Sequence, residues 1–392
     1  MTNAKQWLLP DGVEELYPEE SAKVESLRRQ LLDMYSGWGY ELVFPPLIEY
    51  LDSLQTGMGG DLKLQTFTLT DQLTGKLLGV RPDITPQVAR IDAHGLKRNG
   101  PVRLCYAGTV LHAKPVGLGE SRSLVQIGIE LYGHKGAESD AEVIQLMLHT
   151  LGAAGCENFH LDLGHVGIYR GLIESASLSS EQEASLFDIY QRKAKAELDD
   201  FVETCISDQN LQTMLVSLVD LAGDDQVLIQ ARNILASAPA STLDALTDLE
   251  NIYQQIQKQF PDVPVYFDCS ELRGYHYHTG VVFAAYLPEQ GQAVAKGGRY
   301  DDVGEKFGRA RPATGFSADL KSLITFYQSN QPNEVIFAPD ETDDILDKKI
   351  NELRSKGEKV VQALPGQAES AGEMGCTKQL IHHNGSWEIR NI

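Results

Sequence analysis

One predicted strand, at residues 123–132, constrains the fold more than any other segment of the chain. It carries Gln126, Gly128 and Glu130 at a spacing of two residues. Since side chains alternate across a strand, these three positions share one face of a sheet. The glycine leaves room for a small polar ligand between the two polar side chains. We therefore expect a sheet with a ligand site on one face, and the alternative is a solvated strand edge.

Helices and strands are mixed along the rest of the chain. The first predicted elements are, in order, a helix at 18–36, a strand at 40–44, a hairpin of 67–70 with 77–80, and a helix at 85–95. From about 175 to 262, apolar residues recur at helical spacing, which predicts a helical insertion within a core of residues 1–330. The alternative is a continuation of one α/β domain. Residues 333–392 predict a small C-terminal α/β domain that ends in a hairpin at Asn384-Gly385.

The chain is strongly acidic. Lys and Arg number 34 and Asp and Glu number 55, which leaves a formal net charge of −21 at pH 7. This balance argues against a surface built broadly for nucleic acid or for anionic lipid. The five cysteines lie far apart without a CxxC pair, which is typical of a reduced compartment and predicts a cytoplasmic protein. No apolar run reaches the roughly 20 residues of a membrane span, so no membrane association is expected.

Three further clusters carry chemically useful side chains, at residues 81–85, 273–278 and 296–301. Together with the strand they supply carboxylates for an ammonium group, an arginine for a carboxylate, and aromatic side chains for a ring. This combination predicts an amino-acid pocket. Simpler interpretations remain open: Arg81 and Asp83 as a structural ion pair, and Arg273 paired with Glu271 at the surface. His276 and His278 would suit a metal ion, but no third ligand is near them in the sequence, so no metal is expected.

In order and spacing, these motifs resemble those of the histidyl-tRNA synthetases, which are class II aminoacyl-tRNA synthetases. The resemblance covers about residues 8–327, and its segments are 39–49, 80–85, 122–130, 273–278 and the sequence GGRYD at 297–301. It implies an α+β fold in which a class II aminoacyl-tRNA synthetase-like antiparallel sheet is flanked by helices. In that class of fold, the first motif supplies the dimer interface.

The chain departs from the synthetases where those enzymes bind ATP. Leu111 stands where their second motif has an arginine that grips the α-phosphate, and Ser322 stands where their third motif has another. Neither residue can replace a planar, permanently charged guanidinium, so no catalytic residue is expected. The 60 residues from 333 to 392 are also fewer than an anticodon-binding domain of these enzymes contains.

A synthetase-like core without these arginines resembles the regulatory subunits of ATP phosphoribosyltransferase. This resemblance implies a non-catalytic protein, without a cofactor, that activates the short-form catalytic subunit in the first step of histidine biosynthesis. It further implies feedback inhibition by L-histidine, a homodimer within a hetero-octamer, and no tRNA partner. Two rival functions are a truncated histidine-tRNA ligase and a tRNA-sensing pseudo-synthetase module.

The resemblance also implies which residues bind histidine. The amino group would lie near Asp83, Thr85, Gln126 and Glu130, and Arg273 would meet the carboxylate. The imidazole end and the pocket wall would involve Glu130 and three residues of the 273–278 segment: Tyr275, Tyr277 and His278. Tyr277 matches a tyrosine of the synthetase motif, whereas His278 replaces a tyrosine and Tyr275 a leucine. The glycines of residues 114–122 make that loop a candidate lid.

Overall fold

A large sheet forms the centre of the first of two compact units into which the chain divides, between Gln328 and Ser329. The structure is a computed structural model, and it describes residues 8–56, 59–115, 121–275, 277–288, 291–328, 334–367 and 370–392. In the described part of the first unit, the strands are β1 (Glu41–Leu42), β2 (Ile48–Tyr50), β3 (Phe67–Thr70), β4 (Leu77–Val80), β5 (Val102–Leu111), β6 (Ser123–Tyr132), β7 (His160–His165), β8 (Ala222–Gly223), β9 (Val265–Asp268), β10 (Val281–Tyr286), β11 (Ala293–Arg299) and β12 (Ala313–Asp319).

The large sheet has the strand order β1-β5-β6-β12-β11-β10-β7-β9-β8. The five pairings between β5 and β7 in this order are all antiparallel, whereas β1 runs parallel to β5 and β9 runs parallel to β7. A second, three-stranded sheet has the order β2-β4-β3. The predicted hairpin of β3 and β4 is present in it.

Helices cover the sheet, and most of their buried apolar side chains belong to one large core, while the helix Thr85–Arg90 packs in a smaller cluster with part of β5. In chain order they are α1 (Pro18–Gly37), α2 (Leu51–Gln55), α3 (Gly60–Leu64), α4 (Thr85–Arg90), α5 (Ala137–Ala153), α6 (Val166–Ala176), α7 (Ser180–Gln191), α8 (Lys195–Cys205), α9 (Gln209–Leu218), α10 (Gln226–Ile234), α11 (Ala240–Gln259) and α12 (Leu320–Leu323). Leu146 of α5, Leu172 of α6 and Leu249 of α11 are fully buried together with Ile129 of β6. The helical segment α7–α11 therefore packs onto the same hydrophobic core as the sheet.

Two predicted elements differ from the structure. The predicted strand at 40–44 is wrong in length, because only Glu41 and Leu42 pair with β5 before Pro45 and Pro46. The predicted helix at 85–95 is α-helical only to Arg90 and continues as a π-helix over Ile91–Leu96. Within this π-helix the Asp92 carboxylate accepts a hydrogen bond of 2.8 Å from Arg311. A partner that distant in the chain is invisible to a local helical pattern.

The second unit is a small α/β structure. Its elements are β13 (Val335–Ala338), α13 (Asp344–Ser355), β14 (Lys359–Gln362), β15 (Lys378–His383) and β16 (Ser386–Asn391). The sheet order is β14-β13-β15-β16, with β13 parallel to both of its neighbours. Asn384 and Gly385 both have positive φ, 50° and 82°, as the predicted two-residue hairpin turn requires. In the parts of both units that the structure describes, no helix is long and apolar enough to cross a membrane.

Candidate functional site

Glycines form the floor of a cavity on one face of the large sheet. Adjacent strands align Glu130 with Gly315 and Gly298 in one cross-strand row. A Cβ atom on Gly315 would lie 1.8 Å from Glu130 Oε2, and a Cβ atom on Gly128 would lie 2.6 Å from the Tyr106 hydroxyl. Any larger residue would therefore displace these side chains. The glycine spacing noticed in the sequence has a steric reason, but Gly128 makes room for Tyr106 and not for a ligand: the Tyr106 side chain fills the space expected to be open, and Gly128 lines neither of the cavities described below.

The first cavity above this floor has a volume of about 390 Å³. Its lining includes most of the residues predicted to bind a ligand, namely Asp83, Thr85, Glu130, Arg273, Tyr277 and His278. Lys296 and Tyr300, from the predicted 296–301 cluster, also line it, although neither was among the residues expected to contact histidine. Carboxylates and cations thus line one small space, as an amino acid requires.

Glu130 lies at the buried end of the first cavity. Its side chain is only 1% exposed, so it does not form a solvated strand edge. The hydroxyl of Tyr300 donates to one carboxyl oxygen, and the Tyr106 hydroxyl donates to the other over 3.1 Å. Burial raises the pKa of Glu130 to about 8. The protonated form is therefore favoured while the site is empty, and a cationic ligand would favour the ionised form, which accepts a hydrogen bond from a ligand nitrogen.

Asp83 and Gln126 form hydrogen bonds at the start of α4. Gln126 Nε2 donates to Asp83 Oδ1 over 2.7 Å, and the Ile84 amide donates to Gln126 Oε1 over 3.0 Å. The amide of Thr85 also donates to Asp83 Oδ1, over 3.3 Å. Gln126 itself lines a neighbouring space rather than the first cavity. Its contact with the predicted site is through Asp83.

Arg81 has a structural role, but it is not the predicted ion pair with Asp83. Its guanidinium donates to the carbonyl oxygens of Thr109, over 2.9 Å, and Pro45, over 2.7 Å. Burial lowers the pKa of this arginine, although its side chain stays charged. The Arg81 side chain therefore ties the β4–α4 connection to β5.

Arg273 combines both interpretations drawn from the sequence. It lines the first cavity, and its Nε donates to Glu271 Oε2 over 2.7 Å. A further carboxylate, Asp162, lies 3.8 Å from its Nη2, and the same guanidinium donates to the Tyr286 hydroxyl. The charge of Arg273 is therefore partly balanced before any ligand arrives.

The three predicted residues after Arg273 differ in position. The Tyr277 ring stacks on Tyr300 with centroids 5.2 Å apart, and its buried hydroxyl has no hydrogen-bond partner among the described residues. Burial lowers the pKa of His278 to about 4, so this imidazole is neutral at pH 7. Tyr275 is not brought to the lining: it packs on Tyr169 at 5.5 Å and on Phe187 at 5.4 Å. The run of aromatic residues in the sequence did not show which of them faces the cavity.

A second cavity of about 580 Å³ adjoins the first and shares Asp83, Lys296 and Ser317 with it. Ser322 and His112 line it, but no arginine is among the described residues of its wall. Nearby Arg122 is occupied by the carbonyl oxygens of His112 and Ala113, at 2.9 and 2.8 Å. Asp319 is held by the amides of Val125 and Ser322, at 2.9 and 3.2 Å. This lining suits a neutral or weakly polar group better than a polyphosphate.

Two predicted features fall outside the described residues. They are residues 116–120 of the candidate lid, with Gly117 and Gly119, and His276 of the histidine pair. Elsewhere in the described chain, no group of three or more His, Cys, Asp or Glu side chains is arranged to hold a metal ion.

Two family models match the chain, one for each unit. The model described as histidyl-tRNA synthetase matches residues 12–323, and the model described as the ATP phosphoribosyltransferase subunit HisZ C-terminal domain matches residues 333–390. The two matches together span nearly the whole sequence. They agree with the resemblance found in its motifs.

Solved structures share the fold. An ATP phosphoribosyltransferase regulatory subunit/histidyl-tRNA synthetase from Bacillus halodurans C is 27% identical, with a TM-score of 0.82 over 94% of this chain and 96% of its own. The histidyl-tRNA synthetase of Nostoc sp. PCC 7120 is 20% identical, with a TM-score of 0.77 over 96% and 91% of the two chains. At 20% identity the likeness shows the fold alone. The predicted class II synthetase-like fold is confirmed.

Curated relatives are similar over their full lengths. The ATP phosphoribosyltransferase regulatory subunit of Pseudomonas syringae pv. syringae (strain B728a) is 55% identical over 99% of both chains. That of Pseudomonas fluorescens (strain Pf0-1) is 54% identical, again over 99% of both. With its synthetase-like core and its matching C-terminal unit, the chain belongs to the family of ATP phosphoribosyltransferase regulatory subunits.

Proposed function

We propose that this chain is the non-catalytic subunit that activates the short-form catalytic subunit of ATP phosphoribosyltransferase and transmits feedback inhibition by L-histidine. The reaction would be the first step of histidine biosynthesis. The observation that carries the proposal is an amino-acid cavity beside a second cavity whose described lining has no arginine. A regulatory subunit needs a site for the amino acid, but it does not need arginines that bind ATP.

L-Histidine suits the polar groups of the first cavity. Glu130 and the Tyr277 hydroxyl, which has no hydrogen-bond partner in the described part of the chain, lie at the buried end, where an imidazole ring could exchange hydrogen bonds with both. Asp83 and Thr85 offer oxygen atoms to the ammonium group, and Arg273 offers a cation to the carboxylate. Gln126 would act through Asp83, and His278 would form part of the wall. Tyr275 would support the wall from the hydrophobic core.

The second cavity supports a loss of adenylation. Ser322 lines it and Leu111 ends β5, and by the resemblance of their motifs these two residues would replace two synthetase arginines. Removing a single preorganised donor from a transition state costs about 10²–10³ in rate, and here two would be missing. We therefore propose that the chain neither forms histidyl-adenylate nor charges tRNA, and that it needs no cofactor.

The first motif supports assembly as a homodimer. Large apolar side chains are exposed along it, among them Phe44 at 76%, Leu47 at 40% and Ile48 at 43%. Exposed apolar side chains grouped in this way are typical of a contact with another protein. We propose that two copies meet there, and that the dimers join catalytic subunits in a hetero-octamer in the cytoplasm.

Inhibition would arise from a coupling between the histidine site and the catalytic partner. Such couplings typically amount to about 1–3 kcal/mol, and they require that histidine bind one state of the complex more tightly than another. Occupation of the cavity would bias the assembly toward the state that disfavours catalysis in the partner.

The decisive experiment titrates the protein into a short-form catalytic subunit and measures turnover with and without L-histidine. We expect activation by the wild-type chain and its reversal by histidine. Arg273→Ala should abolish inhibition and preserve activation, because this side chain lies in the amino-acid cavity. Arg29→Ala is the matched control. Arg29 also pairs with a carboxylate, that of Glu25, but its side chain lies on the exposed face of α1 and lines neither cavity.

Four outcomes would contradict the proposal. Absence of activation would remove the regulatory role. Unchanged histidine inhibition in Arg273→Ala would remove the proposed site. Pyrophosphate exchange that depends on ATP and histidine would instead establish a synthetase, and tight, salt-sensitive binding of tRNA would favour a tRNA sensor.

A further inference from the structure

Lys296 lies in the wall that the two cavities share. Strand pairing aligns it with Ser317 on β12 and with Ala284 on β10, and Ser317 in turn aligns with Gly128 on β6. Its two direct neighbours in this cross-strand row, Ala284 and Ser317, are small, so short side chains flank the lysine on both sides. Lys296 lines both cavities and is itself exposed.

The position of Lys296 suits one end of an amino acid whose other end meets Glu130. Glu130 belongs to the neighbouring cross-strand row, with Gly315 and Gly298. The Cα atoms of Glu130 and Lys296 are thus about 7 Å apart along the strands and about 10 Å apart across two strand spacings. Over this gap the floor consists of glycine and serine, so a ligand can span it and the lysine can reach toward the ligand.

The charges around the first cavity single out Lys296. Asp83 and Glu130 provide its carboxyl groups, while Arg273 and Lys296 are the cations that line it among the described residues. Arg273 already has Glu271 at 2.7 Å and Asp162 at 3.8 Å. Lys296, in contrast, forms no ion pair with any residue in the described part of the chain. An entering carboxylate thus meets an uncompensated positive charge at the lysine.

We propose that Lys296 binds the carboxylate of the amino-acid ligand and thereby distinguishes a free amino acid from its uncharged analogues. The inference rests on the proposed histidine site and deepens it. Arg273 would approach the carboxylate from the side of Glu271, and Lys296 from the boundary with the second cavity. A lysine is a flexible point charge with three donors, so it can follow a carboxylate without the fixed geometry of a guanidinium.

The test compares two probes, L-histidine and L-histidinol, by calorimetric titration of the full-length protein. The amino alcohol L-histidinol keeps the imidazole and the ammonium group but has a hydroxyl in place of the carboxylate. In Lys296→Met we expect the affinity for L-histidine to fall about tenfold or more, which is the usual effect of losing a hydrogen bond to a charged group. The affinity for L-histidinol should stay the same.

Two further variants complete the comparison. Lys296→Arg keeps the positive charge and should retain most of the discrimination between the two probes. Lys258→Met removes an exposed lysine near the end of α11, away from both cavities, and should bind both probes as the wild type does. Since Lys296 is exposed, its replacement leaves no cavity in the core. Unchanged L-histidinol binding by Lys296→Met would show that the variant is folded.

The outcomes separate this inference from the proposed function. If Lys296→Met binds L-histidine as tightly as the wild type, or loses both probes equally, the role of Lys296 is wrong while the histidine site stands. If the wild-type protein binds L-histidine no more tightly than L-histidinol, no cation contributes to binding of the carboxylate, and the inference fails. If the wild type binds neither probe, both the histidine site and this inference fail.

Discussion

Gln126 Nε2 donates a hydrogen bond of 2.7 Å to Asp83 Oδ1, and this bond joins two polar residues that lie 43 positions apart in the chain. The oxygen of the same side-chain amide, Gln126 Oε1, accepts a hydrogen bond of 3.0 Å from the Ile84 backbone N–H. Both ends of Gln126 are therefore used, and its orientation is defined. Asp83, which lines both cavities, is held in place by a side chain that lines only the second.

Replacement of Gln126 should weaken ligand binding indirectly. Gln126→Leu removes both hydrogen bonds and leaves Asp83 free to turn, so we expect the affinity for L-histidine to fall about fivefold to tenfold, which corresponds to the loss of one typical hydrogen bond. Gln126→Glu should be worse than Gln126→Leu, because it places a second carboxylate beside Asp83. Calorimetric titration would measure both. Equal affinities in the two variants would mean that the Asp83 contact does not matter for binding.

The stability of the protein should depend on Glu130 at alkaline pH. Burial raises the pKa of Glu130 from 4.5 in the unfolded chain to about 8 in the folded one. The folded protein therefore binds the proton more tightly, so the stability contributed by the protonated form is fully present below pH 4.5 and is lost as the pH rises through about 8. Glu130→Gln removes this titration. We expect its free energy of unfolding, relative to the wild type, to increase from pH 5 to pH 9 in denaturant titrations.

A carboxylate with the opposite shift provides the control. Arg28 and Arg29 lower the pKa of Glu25 to about 2, so its contribution is lost only as the pH falls toward that value. The difference between Glu25→Gln and the wild type should accordingly stay constant from pH 5 to pH 9. The same constancy in Glu130→Gln would show that Glu130 titrates normally.

A single methyl group on the cavity floor should disturb the site. In Gly315→Ala the new Cβ would lie 1.8 Å from Glu130 Oε2, so the carboxyl group must move and its bonds to Tyr300 and Tyr106 must change. We expect a loss of about 1–3 kcal/mol in stability, the usual cost of overpacking, and a loss of measurable L-histidine binding. Gly152→Ala is the control, because nothing lies within 4 Å of its new Cβ in α5. Full ligand affinity in Gly315→Ala would contradict the steric role of this glycine.

The buried ion pair of Arg311 and Asp92 should contribute to the stability of the fold. Arg311 and Asp92 are 8% and 1% exposed, and their side chains meet at 2.8 Å. Arg311→Met would leave the carboxylate buried without its partner, at a cost of about 3–5 kcal/mol. The double variant Asp92→Asn/Arg311→Met should recover part of this loss. Chemical denaturation followed by circular dichroism would measure both, and additive losses would show that the two residues act independently.

Much of the local structure follows from local sequence. Helix α1 begins at Pro18, as its apolar spacing and the proline predict, and the hairpin turns at Asn384-Gly385 as that dipeptide favours. The spacing of two at Gln126, Gly128 and Glu130 is satisfied on β6. In each case a repeat or a backbone preference within a few residues determines the conformation.

The composition of the ligand site depended on tertiary structure. The Tyr300 hydroxyl donates to Glu130, which lies 170 positions away in the sequence. Neither motif alone predicts this hydrogen bond. Tyr275 turns into the core while Tyr277 lines the cavity, although both belong to one short segment. The sequence suggested Arg273 as the cation of the site, but only the packed structure showed that Glu271 and Asp162 already surround it.

The sequence by itself therefore determined the kind of fold, the family resemblance and six of the residues that line the amino-acid cavity. Only the tertiary structure decided which aromatic side chain faces the ligand, how Gln126 acts, and that Lys296 stands between two cavities. The reason is physical: backbone preferences and side-chain alternation act over a few residues. The order of strands in a sheet brings together residues far apart in the chain, and the packing around them sets their burial and charge.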